Sequence, residues 1–297
     1  MSNTILVAAR AAVAAGSTLI TDDLAMKQLV HTQLLYAMDE SGLLDVATFQ
    51  GGSSISNCYG GIRLSEDLDF VVDEFPSASE SQSFADIAIT RLADLYGAAA
   101  TVKTPQDARE GDDRATVPVE RFQVALPIVD GRPDIPQLRV KIELARVSKM
   151  TNIPMEARPP ILDPTSSGPR PIVLAEEPVE LVADKVISFS SRCQWTRHRD
   201  LWDINWLAAR QSIDLSKLRT LVTNKIEDYG LNRSLLVDHV AELRDTLYGA
   251  ARSREALSSV ADTLFDVEYA KQARSARGAM AIVGKALGII ESALLEG

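Results

Sequence analysis

Cysteine is scarce in this sequence. Only Cys58 and Cys193 occur in 297 residues, far apart. A disulfide staple is not expected, no C-x-x-C pair suggests a metal site, and a reducing compartment is the simpler reading. Histidine is little more common. His31, His198 and His239 do not cluster, and none is given a catalytic role. Long apolar runs are missing as well: no stretch of eighteen apolar residues occurs, so nothing is expected to span a membrane. The apolar N-terminus mimics a signal peptide, but it has no basic residue ahead of its apolar run, and Arg10 interrupts that run. A short helix and a cytoplasmic protein are expected. There is no internal repeat or low-complexity tract. With 46% hydrophobic and 24% charged residues, disordered, collagen-like and disulfide-scaffold classes are excluded.

Positive charge is also in deficit. Against 41 Asp+Glu stand 31 Lys+Arg, a net charge of −10. That balance excludes a general nucleic-acid coat protein and leaves room for a local basic patch. The excess is uneven. Residues 1–150 hold 13 basic and 21 acidic side chains, and residues 151–297 hold 18 and 20. The length and this asymmetry suit two regions with different tasks.

The pattern predicts an α+β architecture, with a mixed-sheet domain over 1–165 and an all-helical domain over 166–297. Helical spacing of Leu24, Leu29, Val30, Leu34, Leu35 and Met38 predicts a helix over 22–46, capped by Thr21 with Asp22 and Asp23 in its first turn. Val46–Phe49 then meets Gly51-Gly52-Ser53-Ser54, a strand running through a turn into a short helix that ends by Gly60-Gly61. The second half of 64–72 alternates as a strand, and 80–97 reads as a helix with Phe84, Ile87, Leu92 and Leu95 toward the core. Strands are predicted at 100–104, 116–127 and 137–146, with 105–115 an exposed loop. Residues 151–172 carry six prolines and predict a linker with little regular structure. Helices follow at 177–193, 199–211, 214–228, 232–248, 252–272 and 276–295. Trp195, Trp202 and Trp206 are expected in the helical core.

Asp67 and Asp69 fall two apart in the predicted strand, so they share a face opposite Leu68 and Phe70. Two adjacent carboxylates repel each other, and Mg²⁺ with its preference for hard oxygen ligands is the usual relief. Glu143, on the alternating strand Val140 to Leu144, supplies a third carboxylate if that strand is a neighbour; Glu120 is its rival. Gly52-Ser53 opens a helix, whose free N–H groups suit a phosphate. Two Mg²⁺ ions with a triphosphate at that turn make a phosphoryl- or nucleotidyl-transfer arrangement. Lys185 and Arg192 share a helix face, as do Asp200 and Asp203. The same pattern is that of an interhelix salt-bridge seam. Residues 185–199 hold Lys185, Arg192, Arg197 and Arg199 and no acid, the best stretch for an RNA backbone.

These residues resemble the nucleotidyltransferase superfamily. More narrowly, Phe49-Gln-Gly-Gly-Ser-Ser-Ile-Ser with Arg63-Leu-Ser-Glu-Asp-Leu-Asp-Phe is similar to the AbiEii/AbiGii toxin family, which includes the mycobacterial MenT-type toxins. Lys185 to Arg192 resembles the family's Lys-x6-Arg helix, and Arg199-Asp200-Leu-Trp-Asp203-Ile its Arg/Lys-Asp-h-x-Asp-h helix. The family's usual Gly-Gly-Thr is Gly-Gly-Ser here. The resemblance implies a type IV toxin–antitoxin or phage-abortive protein with a cognate antitoxin. It implies Mg²⁺-dependent transfer from an NTP to RNA, as in members that modify the tRNA 3′ end and block translation. It places Asp67, Asp69, Lys185 and Asp203 in catalysis. By that resemblance Asp67 and Asp69 are the metal ligands and Gly52 and Ser53 meet the triphosphate; from the strand pattern Glu143 is expected as the third metal ligand, with Glu120 its rival, and Arg63, Ser65, Arg192 and Asp200 are expected as further nucleotide contacts. A small-molecule nucleotidyltransferase and a non-catalytic nucleotide-binding regulator are the alternatives from the residues alone.

Overall fold

The computed structural model describes residues 4–16, 20–97, 99–105, 117–128, 136–148, 150–161, 169–191 and 197–295. The chain divides into two units: Met1–Gly60 with Leu64–Ala175, and Gly61–Arg63 with Glu176–Gly297.

In the first unit, α1 (Thr4–Gly16) and α2 (Asp22–Glu40) precede a 3-10 turn at Leu43–Asp45. Then come β1 (Ala47–Gln50), α3 (Gly51–Cys58), β2 (Leu68–Val72) and α4 (Ala78–Tyr96). β3 (Thr101–Lys103), β4 (Val119–Leu126), β5 (Leu138–Arg146), β6 (Ile153–Glu156) and β7 (Ile172–Ala175) complete it. The seven strands form one sheet in the order β3-β4-β5-β2-β1-β7-β6. β2 runs parallel to β5 and β1 parallel to β7, while the remaining neighbours are antiparallel. Alternation gives the sheet its core face: Phe49, Leu68, Phe70, Phe122, Ile142 and Leu144 are all buried. The Phe49 and Phe70 rings stack with centroids 4.8 Å apart, worth about 0.5–1.5 kcal/mol beyond area burial.

α2 is buried nearly all round, from Leu24 to Met38, and packs on α4 and β5. Thr21 accepts from the Leu24 N–H, as expected of its cap. The helix stops at Glu40 rather than 46, because Gly42 takes a positive φ of 79° and turns the chain. α4 begins in a full capping box between Ser77 and Glu80. Ile87 on α4 is half-buried, whereas Phe84 and Leu92 are fully buried.

The proline-rich stretch corrects the expectation of little regular structure. β6 lies inside it and pairs with β7, Pro154 opposite Leu174. β6 is the edge strand, where a residue without an N–H costs no ladder bond. The exposed loop expected at 105–115 lies, but for Pro105, outside the described residues.

The second unit is helical: α5 (Pro178–Ser190), α6 (His198–Arg210), α7 (Leu215–Asp228), α8 (Arg233–Leu247), α9 (Ala250–Ala261), α10 (Val267–Arg274) and α11 (Ala276–Leu294). α11 packs on α6, α7, α8, α9 and α10 through Ile282, Val283, Ala286, Leu287 and Ile290. The helix expected over 252–272 is two. Between them the Phe265 N–H donates to the Ile62 carbonyl, and Leu264 bridges to Arg63. Asp266 then caps α10 by accepting from the Glu268 and Tyr269 N–H groups. The α+β expectation, a mixed sheet followed by helices, holds.

Candidate active site

β1 and β2 pair antiparallel with Gln50 opposite Asp69, so the end of β1 and the start of β2 lie side by side. The chain turns there directly into α3. Gly51 has φ +75°, and a Cβ added to it would stand 2.5 Å from Asp69 Oδ2. The Asp69 carboxylate therefore rests against the α-carbon at the head of α3, an approach only glycine permits. The Ser53 hydroxyl donates to the Asp67 carbonyl at 2.5 Å, tying α3 to the acidic segment. Gly52 and Ser53 are buried at the first turn of α3.

Asp67 stands one residue before β2, in a bend, which corrects its expected place on the strand. It is half-buried, and its carboxyl is raised above the ordinary range by burial and by the charge of Glu143, against the opposing pull of Lys141. In the parallel β2–β5 pair Asp69 is directly across from Glu143. Glu120 pairs with Leu144 and so lies on the opposite, core-side face. Between the two rivals, the register puts Glu143 beside Asp69. The Glu143 carboxylate accepts from Arg121 Nε at 2.8 Å.

Helix α2 holds the segment ahead of Asp67. Gln28 Nε2 donates to the Ser65 carbonyl at 2.7 Å, His31 Nε2 lies 3.1 Å from the Glu66 carbonyl, and Lys27 Nζ meets the Glu66 carboxylate at 2.5 Å. A carbonyl can only accept, so His31 carries its proton on Nε2. Burial holds the imidazole neutral, lowered to about 4. Ser65 itself is buried. None of these α2 contacts was read from the sequence, and neither was the role of Gly51.

In the helical unit, Arg63 grips Asp203 with two bonds, Nε to Oδ1 and Nη2 to Oδ2, both 2.7 Å. Lys185 Nζ lies 3.2 Å from Asp200 Oδ1 and 3.3 Å from Asp203 Oδ2. Burial opposes the Lys185 charge, but Asp200 and Asp203 together outweigh it and hold the ammonium above its ordinary value. Burial likewise opposes the Asp203 charge, and Arg63 and Lys185 overcome it, lowering the carboxyl. Asp200 also accepts from Ser188, which Arg197 contacts in turn. Lys185, Asp200 and Asp203 thus form one ion-paired cluster, and Arg63 joins it through Asp203. Trp202 and Trp206 stack with each other and meet Tyr269 edge-on, as core residues should. Arg192, Cys193 and Trp195 lie outside the described residues.

A known family model, the nucleotidyl transferase AbiEii toxin of type IV toxin–antitoxin systems, matches residues 33–278. The chain belongs to the AbiEii nucleotidyltransferase toxin family. Comparison with curated proteins found no match. In structure this AbiEii chain is similar to MenT4, a nucleotidyltransferase toxin from Mycobacterium tuberculosis, with 20% identity, 98% of each chain covered and a TM-score of 0.57. At that identity the likeness speaks for the fold. It is also similar to JHP933 from Helicobacter pylori, with 13% identity, 93% of this chain and 94% of that one covered, and a TM-score of 0.46.

Enzymes of this chemistry use an NTP and a divalent cation. Asp67 and Asp69 fit a hard cation in donor type, as oxygen donors beside the carboxylate of Glu143. Among the described residues, no three Asp, Glu, His or Cys side chains gather into a ready metal cage. Glu143 is the adjacent carboxylate, held by Arg121.

Proposed function

We propose that this AbiEii-family chain transfers a nucleotide from an NTP to the 3′ end of an RNA, with tRNA as the acceptor and blocked translation as the consequence. The observation that carries the reading is Asp69, set against Gly51 at the head of α3 and in register with Glu143. In the reaction the acceptor hydroxyl oxygen bonds to the α-phosphorus, and the bond from that phosphorus to the pyrophosphate oxygen breaks.

Asp67 and Asp69 would hold Mg²⁺, with Glu143 as third ligand. The metal, when bound, neutralises the triphosphate and the departing pyrophosphate and acidifies the attacking hydroxyl. Gly52 and Ser53 offer backbone N–H groups at the α3 N-terminus to the triphosphate. The Ser53 hydroxyl is committed to the Asp67 carbonyl, which makes its role one of holding the acidic segment. Ser65 acts through its backbone, fixed by Gln28. In the helical unit Asp200 and Asp203 keep Lys185 charged, the state in which an ammonium meets a phosphate, and Arg63 braces Asp203. Arg192 is proposed as a second phosphate contact. The cognate antitoxin is the expected protein partner, and the cytoplasm the expected compartment.

The test is incubation with total RNA and each labelled NTP in turn, with and without a chelator. Label entering tRNA only with Mg²⁺, and lost in Asp69→Ala with the fold intact, supports the proposal. Undiminished transfer or toxicity in Asp69→Ala refutes the metal role. Label entering a small hydroxyl compound instead of RNA refutes the acceptor.

A further inference from the structure

β3, β4 and β5 turn one face to the core and leave the other exposed. The register sets Lys103 beside Gln123 and Gln123 beside Lys141; the next row is Arg121, Glu143 and Asp69, and Arg139 stands opposite Ala125. Lys103, Arg121, Arg139 and Lys141 therefore share the face that carries Asp69, and all four are exposed. On that face of the three strands Glu143 is the one acid among the described residues, and Arg121 holds it. Lys103, Arg139 and Lys141 make no ion pair among the described residues. In a chain of net charge −10 this is a local reversal of sign.

Lysine on an edge strand is a common guard against strand-to-strand aggregation, and that accounts for Lys103 on β3. It does not account for Arg139 and Lys141, which stand on β5, third from the edge. Among the described residues the cross-strand partners of Lys103, Arg139 and Lys141 on these strands are the uncharged Gln123 and Ala125, while Lys141 also acts on Asp67. Arg139 and Lys141 stand about 6.6 Å apart along β5, and Lys103 stands two strand spacings, about 9.6 Å, from Lys141 across Gln123. Four exposed cations spread over three strands suit an extended polyanion better than a single small anion.

We propose that the open face of β3–β5 binds the phosphate backbone of an RNA strand and leads it toward the Asp69 row. The choice of RNA rests on the acceptor proposed above; the surface itself rests on the register and the charges. It assigns the backbone contact to the first unit, in addition to the basic run at 185–199.

The test uses the full chain and fluorescein-labelled bulk tRNA, with anisotropy read across a salt series. Lys103→Gln/Arg139→Gln/Lys141→Gln should weaken binding at low salt by about tenfold or more, and each lost phosphate contact should flatten the log–log salt slope by about 0.7–0.9. Arg197→Gln/Arg199→Gln serves as the comparison. Calorimetric binding of Mg²⁺–NTP should be unchanged in Lys103→Gln/Arg139→Gln, with circular dichroism confirming the fold. The proposal is overturned if the unaltered protein fails to bind tRNA, if the triple variant binds it normally, or if only the Arg197/Arg199 variant loses affinity. Binding of poly-glutamate but not tRNA through the same residues would overturn it too. Sheet-dependent tRNA binding with no label transferred would sustain the surface and defeat the transfer reading.

Discussion

Asp69 Oδ2 lies where a side chain on Gly51 would have to begin, 2.5 Å from the position of its Cβ. The glycine is thus part of the carboxylate's seat. Gly51→Ala must both adopt φ near +75°, at about 1–2 kcal/mol for an L-residue, and displace Asp69. A misplacement on the order of 1 Å can reduce a rate about a hundredfold. Steady-state transfer assays should show that loss while thermal unfolding shifts only modestly. Wild-type turnover in Gly51→Ala would mean that Asp69 has no critical position.

Gln28 supplies the donor for the buried Ser65 carbonyl, two residues ahead of Asp67. Gln28→Met keeps the shape and removes the donor, at about 1–3 kcal/mol for the stranded acceptor. The expected signature is a rise in the Mg²⁺ concentration for half-maximal activity, with the maximal rate regained at saturation. A fall in maximal rate alone would point to general damage instead.

His31 gives a pH dependence with a definite sign. Its folded value is depressed to about 4 from 6.5, so the unfolded chain takes the proton first. Stability contributed by the neutral ring is complete above pH about 6.5 and lost as pH falls toward 4. Denaturant titrations between pH 4 and 7 should show this decline, and His31→Gln, which keeps a donor for the Glu66 carbonyl, should flatten it. Parallel curves for the two proteins would remove His31 as the cause.

Arg63 and Asp203 form a buried, doubly hydrogen-bonded pair. Removing one partner strands the other, so Asp203→Ala should destabilise by about 3–5 kcal/mol in urea unfolding. Arg63→Met/Asp203→Leu should recover most of that loss. Inactivity of Asp203→Ala therefore speaks for a reaction role only if the paired variant, once stable, is inactive too.

The β1–α3–β2 segment was legible because its signals are local: an apolar run, a glycine turn, and alternating carboxylates within about two dozen residues. Which of the two glycines needed a positive φ was not, since that depends on the Asp69 carboxylate arriving from the neighbouring strand. Gln28 and His31 were hidden because α2 is buried nearly all round between Leu24 and Met38, so polar residues along it do not mark a solvent face. Pro154 was misleading because proline excludes a central strand and not an edge one. The Arg63–Asp203 pair spans 140 residues, beyond the reach of any periodicity.

Residues 61–63 belong to the helical unit although both their sequence neighbours belong to the sheet unit. The chain thus passes between the units three times, at 60–61, 63–64 and 175–176. A single cut in the proline-rich stretch cannot release either unit whole. A fragment ending there would keep Arg63 and forfeit Asp203, while its complement would lack the segment that Phe265 and Leu264 bind. Recombination between relatives at that stretch would pair an Arg63 and an Asp203 of different descent, so these two halves are expected to be inherited as one piece.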